Sequence, residues 1–166
     1  MSHRINALRA ATAATLVGGF ACFGTGIANA DPNDTLVTNL SKGYSASNCT
    51  PQAPPSGVLA VMQCGQNSEP GGPVFAKYLL FNTSSDLNSS FTTSIGSDTL
   101  TNCGDAKSPT TWHQGSSNDP AGQVACGTYQ GQAEVIWTTD GKNVMSLIRA
   151  ANGDTAALYQ WWRTNG

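Results

Sequence analysis

Residues 123–150 read QVACGTYQGQAEVIWTTDGKNVMSLIRA, three β-rich segments separated by turn residues. Their β-branched and aromatic content predicts strands at 123–129, 132–138 and 143–150. Gly131 marks the first turn, and Asp140-Gly141 is a strong signal for a two-residue hairpin of type I′. Because strands joined by such short turns run antiparallel, these residues predict an antiparallel sheet.

Residues before this segment add two predicted strands and a predicted helix. One further helix is predicted on either side of the region that holds all the strands. Apolar β-rich runs predict strands at 58–64 and 74–82, with a turn at 66–73 between them. Apolar residues at helical spacing predict three helices. The first is capped by Asn33 or Asp34 and ends at Gly43, the second is capped by Ser84 or Ser85 and reaches Ile95, and the third is capped by Asp154.

Two segments are predicted to be connectors, because their Pro and Gly residues oppose regular structure. They are residues 50–57 and 104–122. The order strand, strand, helix occurs on both sides of the second connector, which suggests an internal duplication. We therefore expect an α+β fold with an antiparallel sheet of about five strands and helices packed on one face.

The first thirty residues have the features of a secretory signal peptide. Arg4 and Arg9 precede an uncharged apolar segment at 10–27, and Ala28-Asn29-Ala30 offers a cleavage site. A membrane anchor is the alternative, but four glycines interrupt the apolar segment. We expect cleavage before Asp31, no membrane span afterwards, and a single secreted α+β domain at 31–166, a length that suits one core.

Four cysteines remain after the predicted cleavage, namely Cys49, Cys64, Cys103 and Cys126. An even number in an exported chain favours disulfides over free thiols. Of the three possible connectivities we prefer Cys49 with Cys64 and Cys103 with Cys126, because each pair brackets a loop that leads into a predicted strand. A metal or redox site is disfavoured, since no Cys-x-x-Cys and no zinc spacing is present.

The charges exclude a polyanion-binding surface. Residues 31–166 hold six Lys and Arg residues against ten Asp and Glu residues, a net charge of minus four. The basic residues are scattered singly, whereas nucleic-acid binding needs them clustered. We expect no nucleic-acid partner, and nothing in the sequence calls for a cofactor.

Several short motifs across residues 35–163 resemble small secreted actinobacterial, particularly mycobacterial, proteins of unassigned function. The strand Trp-Thr and terminal Trp-Trp pattern is similar to the extracellular portion of some actinobacterial serine/threonine protein kinases. The motifs that carry the resemblance are Gly43-Tyr44-Ser45, Asn48-Cys49-Thr50-Pro51, Gly71-Gly72-Pro73, Leu80-Phe81, Thr111-Trp112, Gly122-Gln123-Val124-Ala125-Cys126-Gly127-Thr128-Tyr129, Val135-Ile136-Trp137-Thr138 and Ala157-Leu158-Tyr159-Gln160-Trp161-Trp162.

This resemblance implies a sensor-like extracellular domain and not a kinase. The chain has no glycine-rich nucleotide loop, no strand lysine in a Val-Ala-x-Lys setting, and no His-Arg-Asp or Asp-Phe-Gly motif. A signal would therefore reach the cell interior only through a partner.

The candidate contacts for a ligand are Trp112, His113, Trp161 and Trp162. Adjacent helical residues diverge by roughly 100 degrees, so we expect one of the last two tryptophans, like Trp137, to fill the core and the other to face outward. Our first hypothesis is a non-enzymatic binding or sensing module with a shallow, uncharged site for an envelope component or a protein.

Two alternatives remain open. An envelope hydrolase would use His113 with a serine and a carboxylate, although no Gly-x-Ser-x-Gly motif is present and we assign no catalytic residue. A structural or host-facing secreted protein would need no small ligand. A deep pocket at His113 would favour the hydrolase, and a convex surface would favour the structural protein.

Overall fold

The computed structural model of the chain describes residues 31–166. The predicted signal peptide at 1–30 lies outside the described residues. None of the helices within 31–166 has both the length and the hydropathy of a membrane-spanning segment.

Eight strands form one antiparallel sheet, three more than the sequence predicts. They are β1 (Cys49–Gln52), β2 (Val58–Cys64), β3 (Phe75–Phe81), β4 (Thr99–Thr101), β5 (Thr110–His113), β6 (Pro120–Tyr129), β7 (Gln132–Thr139) and β8 (Val144–Arg149). The order across the sheet is β1-β2-β3-β8-β7-β6-β4, and β5 also pairs with β6. The predicted strands at 58–64, 74–82, 123–129, 132–138 and 143–150 therefore correspond to β2, β3, β6, β7 and β8.

The three unpredicted strands are short and lie at the margins of the sheet. β1 and β5 fall inside the two segments expected to be connectors, so those predictions are wrong in part. Pro51 is compatible with β1 because an edge strand pairs on one side only, against β2. β5 contains Thr110, Thr111 and Trp112, whose β-branched and aromatic side chains favour a strand that the surrounding Pro and Gly residues obscure.

Three helices cover the sheet: α1 (Pro32–Val37), α2 (Ser84–Ile95) and α3 (Thr155–Asn165). Asp154 caps α3 as predicted, accepting a hydrogen bond from the Ala157 backbone at 2.9 Å. The other caps lie earlier than predicted, at Asp31 instead of Asn33 or Asp34 for α1 and at Thr83 instead of Ser84 or Ser85 for α2. α1 also ends before Gly43.

Side-chain hydrogen bonds explain the early end of α1. Thr38 Oγ1 and Asn39 Nδ2 both donate to the Thr35 carbonyl, at 2.8 and 2.7 Å. Such bonds offer the backbone an alternative to the next helical turn. Gly43 instead lies in the turn that follows, at a φ of +82°.

The helices pack on both faces of the sheet, which corrects the prediction that they share one. Leu87 and Phe91 of α2 pack against Val61, Leu79 and other residues of one face, here called the α2 face. Leu36 of α1 with Leu158 and Trp162 of α3 packs against the opposite face, here called the α3 face. The two units expected from a duplication therefore place their helices on opposite sides.

Double-sided coverage buries the central strands almost completely. In β7 every residue from Ala133 to Thr138 is buried, including Glu134 at 3 % exposure. The sequence predicts that Glu134 points outward by alternation, and this is wrong, because the outward side is covered by α2 and its surroundings. Trp137 fills the core of the α3 face, as predicted.

The two long hairpins differ in their turns. Between β6 and β7, Gln130 and Gly131 both have positive φ angles, of 50° and 81°, as a two-residue hairpin turn requires. Between β7 and β8, the predicted two-residue turn at Asp140-Gly141 is replaced by a short 3₁₀ turn over Asp140–Lys142, and Asn143 adopts the left-handed conformation. Asn tolerates that conformation better than most residues.

Both disulfides have the sequential pairing that the sequence favours. Cys49–Cys64 ties edge strand β1 to β2, and Cys103–Cys126 ties the segment after β4 to β6. The bridges therefore hold two of the short marginal elements against the long strands. Disulfides of this kind indicate folding in an oxidising compartment.

Candidate functional site

A cleft of about 480 Å³ opens where β5 meets α3. Helical spacing brings Tyr159, Trp162 and Arg163 to one stripe of α3, which forms one wall together with Gly166 just after the helix. The opposite wall is β5 and the residues that follow it, from Thr111 to Gly115.

Aromatic rings form the base of this β5–α3 cleft. Tyr159 stacks on Trp162 with ring centroids 5.5 Å apart, and Trp112 meets Trp162 edge to face at 5.7 Å. Such pairs stabilise a fixed arrangement by about 1 kcal/mol each beyond the burial of their surface. Trp112 and Tyr159 are half-buried, so part of each ring faces the cleft.

A hydrogen bond fixes Trp112 to the sheet. Its indole Nε1 donates to the backbone carbonyl of Thr138 at 2.7 Å. Thr138 Oγ1 in turn accepts from the Gln123 backbone and donates to Asp140 Oδ1, at 2.9 and 2.6 Å. Strand β5, which carries Trp112, is thereby held against the end of β7.

The cleft is connected to the core through a series of ring contacts. Trp162 packs on Trp137 at 5.7 Å, Trp137 on Tyr78 at 6.3 Å, and Tyr78 on Tyr44 at 6.2 Å. Tyr78 exchanges hydrogen bonds with the Ser41 backbone and hydroxyl, and burial raises the pKa of its phenol. The rings below the cleft are therefore rigidly packed.

Three of the four predicted contact residues meet in the cleft: Trp112, His113 and Trp162. The predicted division of the tryptophan pair is right for Trp162, which is buried to 7 % exposure, and wrong for Trp161, which is half-buried and packs against the same core instead of facing outward. The buried member, however, lines the cleft, and Trp161 does not. The cleft cuts into the core side of α3, so the more buried ring is the one it reaches.

The cleft is not uncharged, which corrects that part of the prediction. Arg163 is exposed along its wall, and among the described lining residues there is no Asp or Glu side chain. Tyr159 and Arg163 were missed by sequence reasoning. Their spacing from Trp162 on the predicted helix was the signal that could have found them.

His113 lacks the partners of a catalytic histidine. Within residues 31–166 its imidazole has no hydrogen bond to a serine or to an acidic side chain, and no Ser, Asp or Glu lines the cleft. General-base catalysis needs such a partner within about 3 Å. The described part of the chain also holds no group of three or more His, Cys, Asp or Glu residues arranged to bind a metal.

A second cavity, of about 380 Å³, lies on the α2 face. Its floor is apolar, with Leu79, Phe81 and Met145, and its wall is a stripe of small hydroxyl residues on α2. Ser90, Thr93 and Ser94 belong to this stripe. This groove is not predicted from the sequence, although the polar residues along α2 recur at helical spacing.

Comparison of the chain with protein-family models, with curated proteins and with solved structures finds no match.

Proposed function

We propose that residues 31–166 are a secreted, non-enzymatic binding or sensor-like module of the cell envelope or extracellular space, with the β5–α3 cleft as its ligand site. The observation that carries the proposal is the convergence of Trp112, Tyr159 and Trp162 on one open cleft. Trp112 lies far from Tyr159 and Trp162 in the sequence and meets them only through the fold.

The cleft has the properties of a site formed before a ligand arrives. The Trp112 indole is hydrogen-bonded to Thr138, and the Trp162 ring is packed on Trp137. A preformed site loses little conformational entropy when a ligand binds. Half-exposed aromatic rings offer large apolar contact areas to flat ligands such as sugar rings.

The extracellular setting is supported by the two disulfides and by the signal peptide predicted at 1–30. The sensor-like part of the proposal comes from the motif resemblance to extracellular portions of actinobacterial kinases described in the sequence analysis, and not from a match to a known protein. A partner protein would have to relay any signal.

No observation favours the two alternatives. A hydrolase of the predicted kind needs a serine and an acidic side chain beside His113, and the cleft lining contains no Ser, Asp or Glu. A purely structural secreted protein has no need of an aromatic cleft.

The test is a titration of ¹⁵N-labelled residues 31–166 with soluble muropeptides from peptidoglycan, followed by amide chemical shifts. We expect shifts at 111–115 and 159–166. Tyr159→Ala removes a half-buried ring and should weaken binding about tenfold, as loss of one aromatic contact does in carbohydrate-sized sites.

Leu59→Ala is the matched control, because Leu59 is an exposed apolar residue of β2 outside the cleft. Its affinity should equal that of the parent protein. Shifts confined to the α2 groove, at Ser89 to Ser94, would place the site elsewhere, and no shift with any muropeptide would contradict envelope-glycan recognition.

A further inference from the structure

We infer that the β5–α3 cleft takes a ligand that presents a carboxylate beside a flat apolar face. This inference rests on the proposed function, since it assumes that the cleft is the binding site. It goes further by specifying the charge of the ligand.

The charge of the cleft wall differs from that of the rest of the molecule. Residues 31–166 have a net charge of minus four, yet the ionic side chain along the cleft is the cation Arg163. Arg163 makes no salt bridge within the described residues, so its guanidinium is available to an external anion. A guanidinium binds a carboxylate through two parallel hydrogen bonds.

Side chains that can donate hydrogen bonds lie around this cation. His113 and Gln114 lie on the opposite wall, and the buried indole Nε1 of Trp162 finds no acceptor among the described residues. Leaving a buried N–H unpaired is unfavourable, because the group has lost its hydrogen bonds to water and gained none in return. A ligand oxygen that accepts this N–H would remove that cost.

Gly166 covers the Trp162 N–H. A Cβ atom built on Gly166 would lie 2.5 Å from Trp162 Nε1, and the Gly166 backbone donates to the Trp162 carbonyl at 2.7 Å. A ligand oxygen therefore reaches this N–H by shifting Gly166. The Gly166 amide and the Trp162 indole N–H are the two reporters for an acceptor in the cleft.

The aromatic base supplies the second half of the specificity. The ring pair Tyr159–Trp162 is stacked with an interplanar angle of 20°, which presents a planar surface next to Arg163 on the same helix stripe. A ligand with a flat apolar portion and a carboxylate attached to it satisfies both features together.

The test compares two probes that differ only in charge, naphthalene-2-carboxylate and naphthalene-2-carboxamide. Binding to residues 31–166 is followed by NMR titration, with the Trp162 indole N–H and the Gly166 amide as reporters. We expect the carboxylate to bind about tenfold more tightly, and high salt to reduce this difference.

Arg163→Gln should lower the affinity for the carboxylate to that for the carboxamide. Lys107→Gln is the matched control, because it removes the same charge from an exposed lysine outside the cleft lining. Its affinities should equal those of the parent protein. Arg163→Lys keeps the charge and loses the planar fork, so it should give an intermediate affinity.

Equal affinity for the two probes, unchanged by Arg163→Gln, would overturn the inference and leave the proposed binding cleft intact. Binding of neither probe at 111–115 and 159–166 would also overturn it. Failure of the proposed function is distinguished separately, by the muropeptide titration of the parent protein.

Discussion

Trp112 is hydrogen-bonded to Thr138 across the edge of the sheet, with the indole N–H 2.7 Å from the backbone carbonyl oxygen. This contact joins the short strand β5 to the end of the long strand β7. Together with the pairing of β5 and β6, it fixes an aromatic wall beside α3.

Removing the donor while keeping an aromatic ring tests this relationship. Trp112→Phe should destabilise the fold by about 1 to 2 kcal/mol, because the Thr138 carbonyl loses its indole partner and the smaller ring fills less space. Urea unfolding of the variant and the parent measures the difference. The amide shifts of β5 should also change more than those of β1, and an unchanged β5 would contradict the role assigned to this bond.

Gly122 makes the same contact possible, since it pairs with Trp112 in the sheet and lies against Thr138. A Cβ at Gly122 would come 2.0 Å from the Thr138 carbonyl oxygen, a backbone atom that cannot move aside. Gly122→Ala should therefore cost about 3 kcal/mol or more, as overpacking against the backbone does. Gly141→Ala is the control, because a Cβ there meets nothing within 4 Å; equal unfolding free energies for the two variants would contradict the prediction.

Arg149 and buried Glu134 form an ion pair on the α2 face. Arg149 Nε donates to Glu134 Oε2 at 2.6 Å, and Arg149 Nη2 also contacts that oxygen. The guanidinium lies over the rings of Tyr129 and Phe75, at 4.5 and 5.4 Å from their centroids. Both partners are thereby enclosed.

Substituting one partner of this ion pair should lower the free energy of unfolding more than substituting both partners. Glu134→Gln and Arg149→Met should each destabilise by about 3 kcal/mol, because each leaves an enclosed charge without its partner. The double variant leaves no such charge and should lose much less than the sum of the two. A double-mutant cycle from chemical denaturation measures this, and strictly additive losses would contradict the pairing.

Asp98 gives the fold a dependence on pH. Burial raises the pKa of its carboxyl above the usual 3.8, and Arg149 offsets only part of this effect; Oδ1 is buried without a hydrogen-bond partner among the described residues. The folded state therefore keeps this proton to higher pH than the unfolded chain. The contribution to stability is largest below the unfolded pKa and falls as pH rises through the folded pKa.

Asp98→Asn should accordingly stabilise the protein near neutral pH by about 1 kcal/mol, after allowance for screening by solvent. Below about pH 4 the gain should disappear, because the parent carboxyl is then protonated in both states. Thermal unfolding across this range measures it. Asp119→Asn, at an exposed loop position, should change neither stability nor its pH dependence. A gain from Asp98→Asn that is equal at all pH values would contradict the explanation.

The strand and helix pattern of the chain is largely local in origin. Turn residues and β-rich runs predict all five long strands, and Asp154 with the apolar residues after it predicts α3. The cysteine pairing also follows from local order, because each bridge closes a short loop between sequence neighbours. The short strands β1, β4 and β5 could not be predicted with the same ease, since their pairing with β2 and β6 outweighs the Pro and Gly residues around them.

The antiparallel sheet, the preferred cysteine pairing and the burial of Trp137 could be predicted from the chain alone, because hydrophobic period, turn chemistry and cysteine spacing are properties of neighbouring residues. Which faces of the sheet are covered, and which residues meet at its edges, follows from long-range packing. Because α2 packs on the face opposite α1 and α3, Glu134 is buried and pairs with Arg149. Alternation along the strand predicts a surface position instead. Long-range packing likewise joined Trp112 to Tyr159 and Trp162, since a cleft between β5 and α3 exists only when segments about fifty residues apart fold onto the same edge.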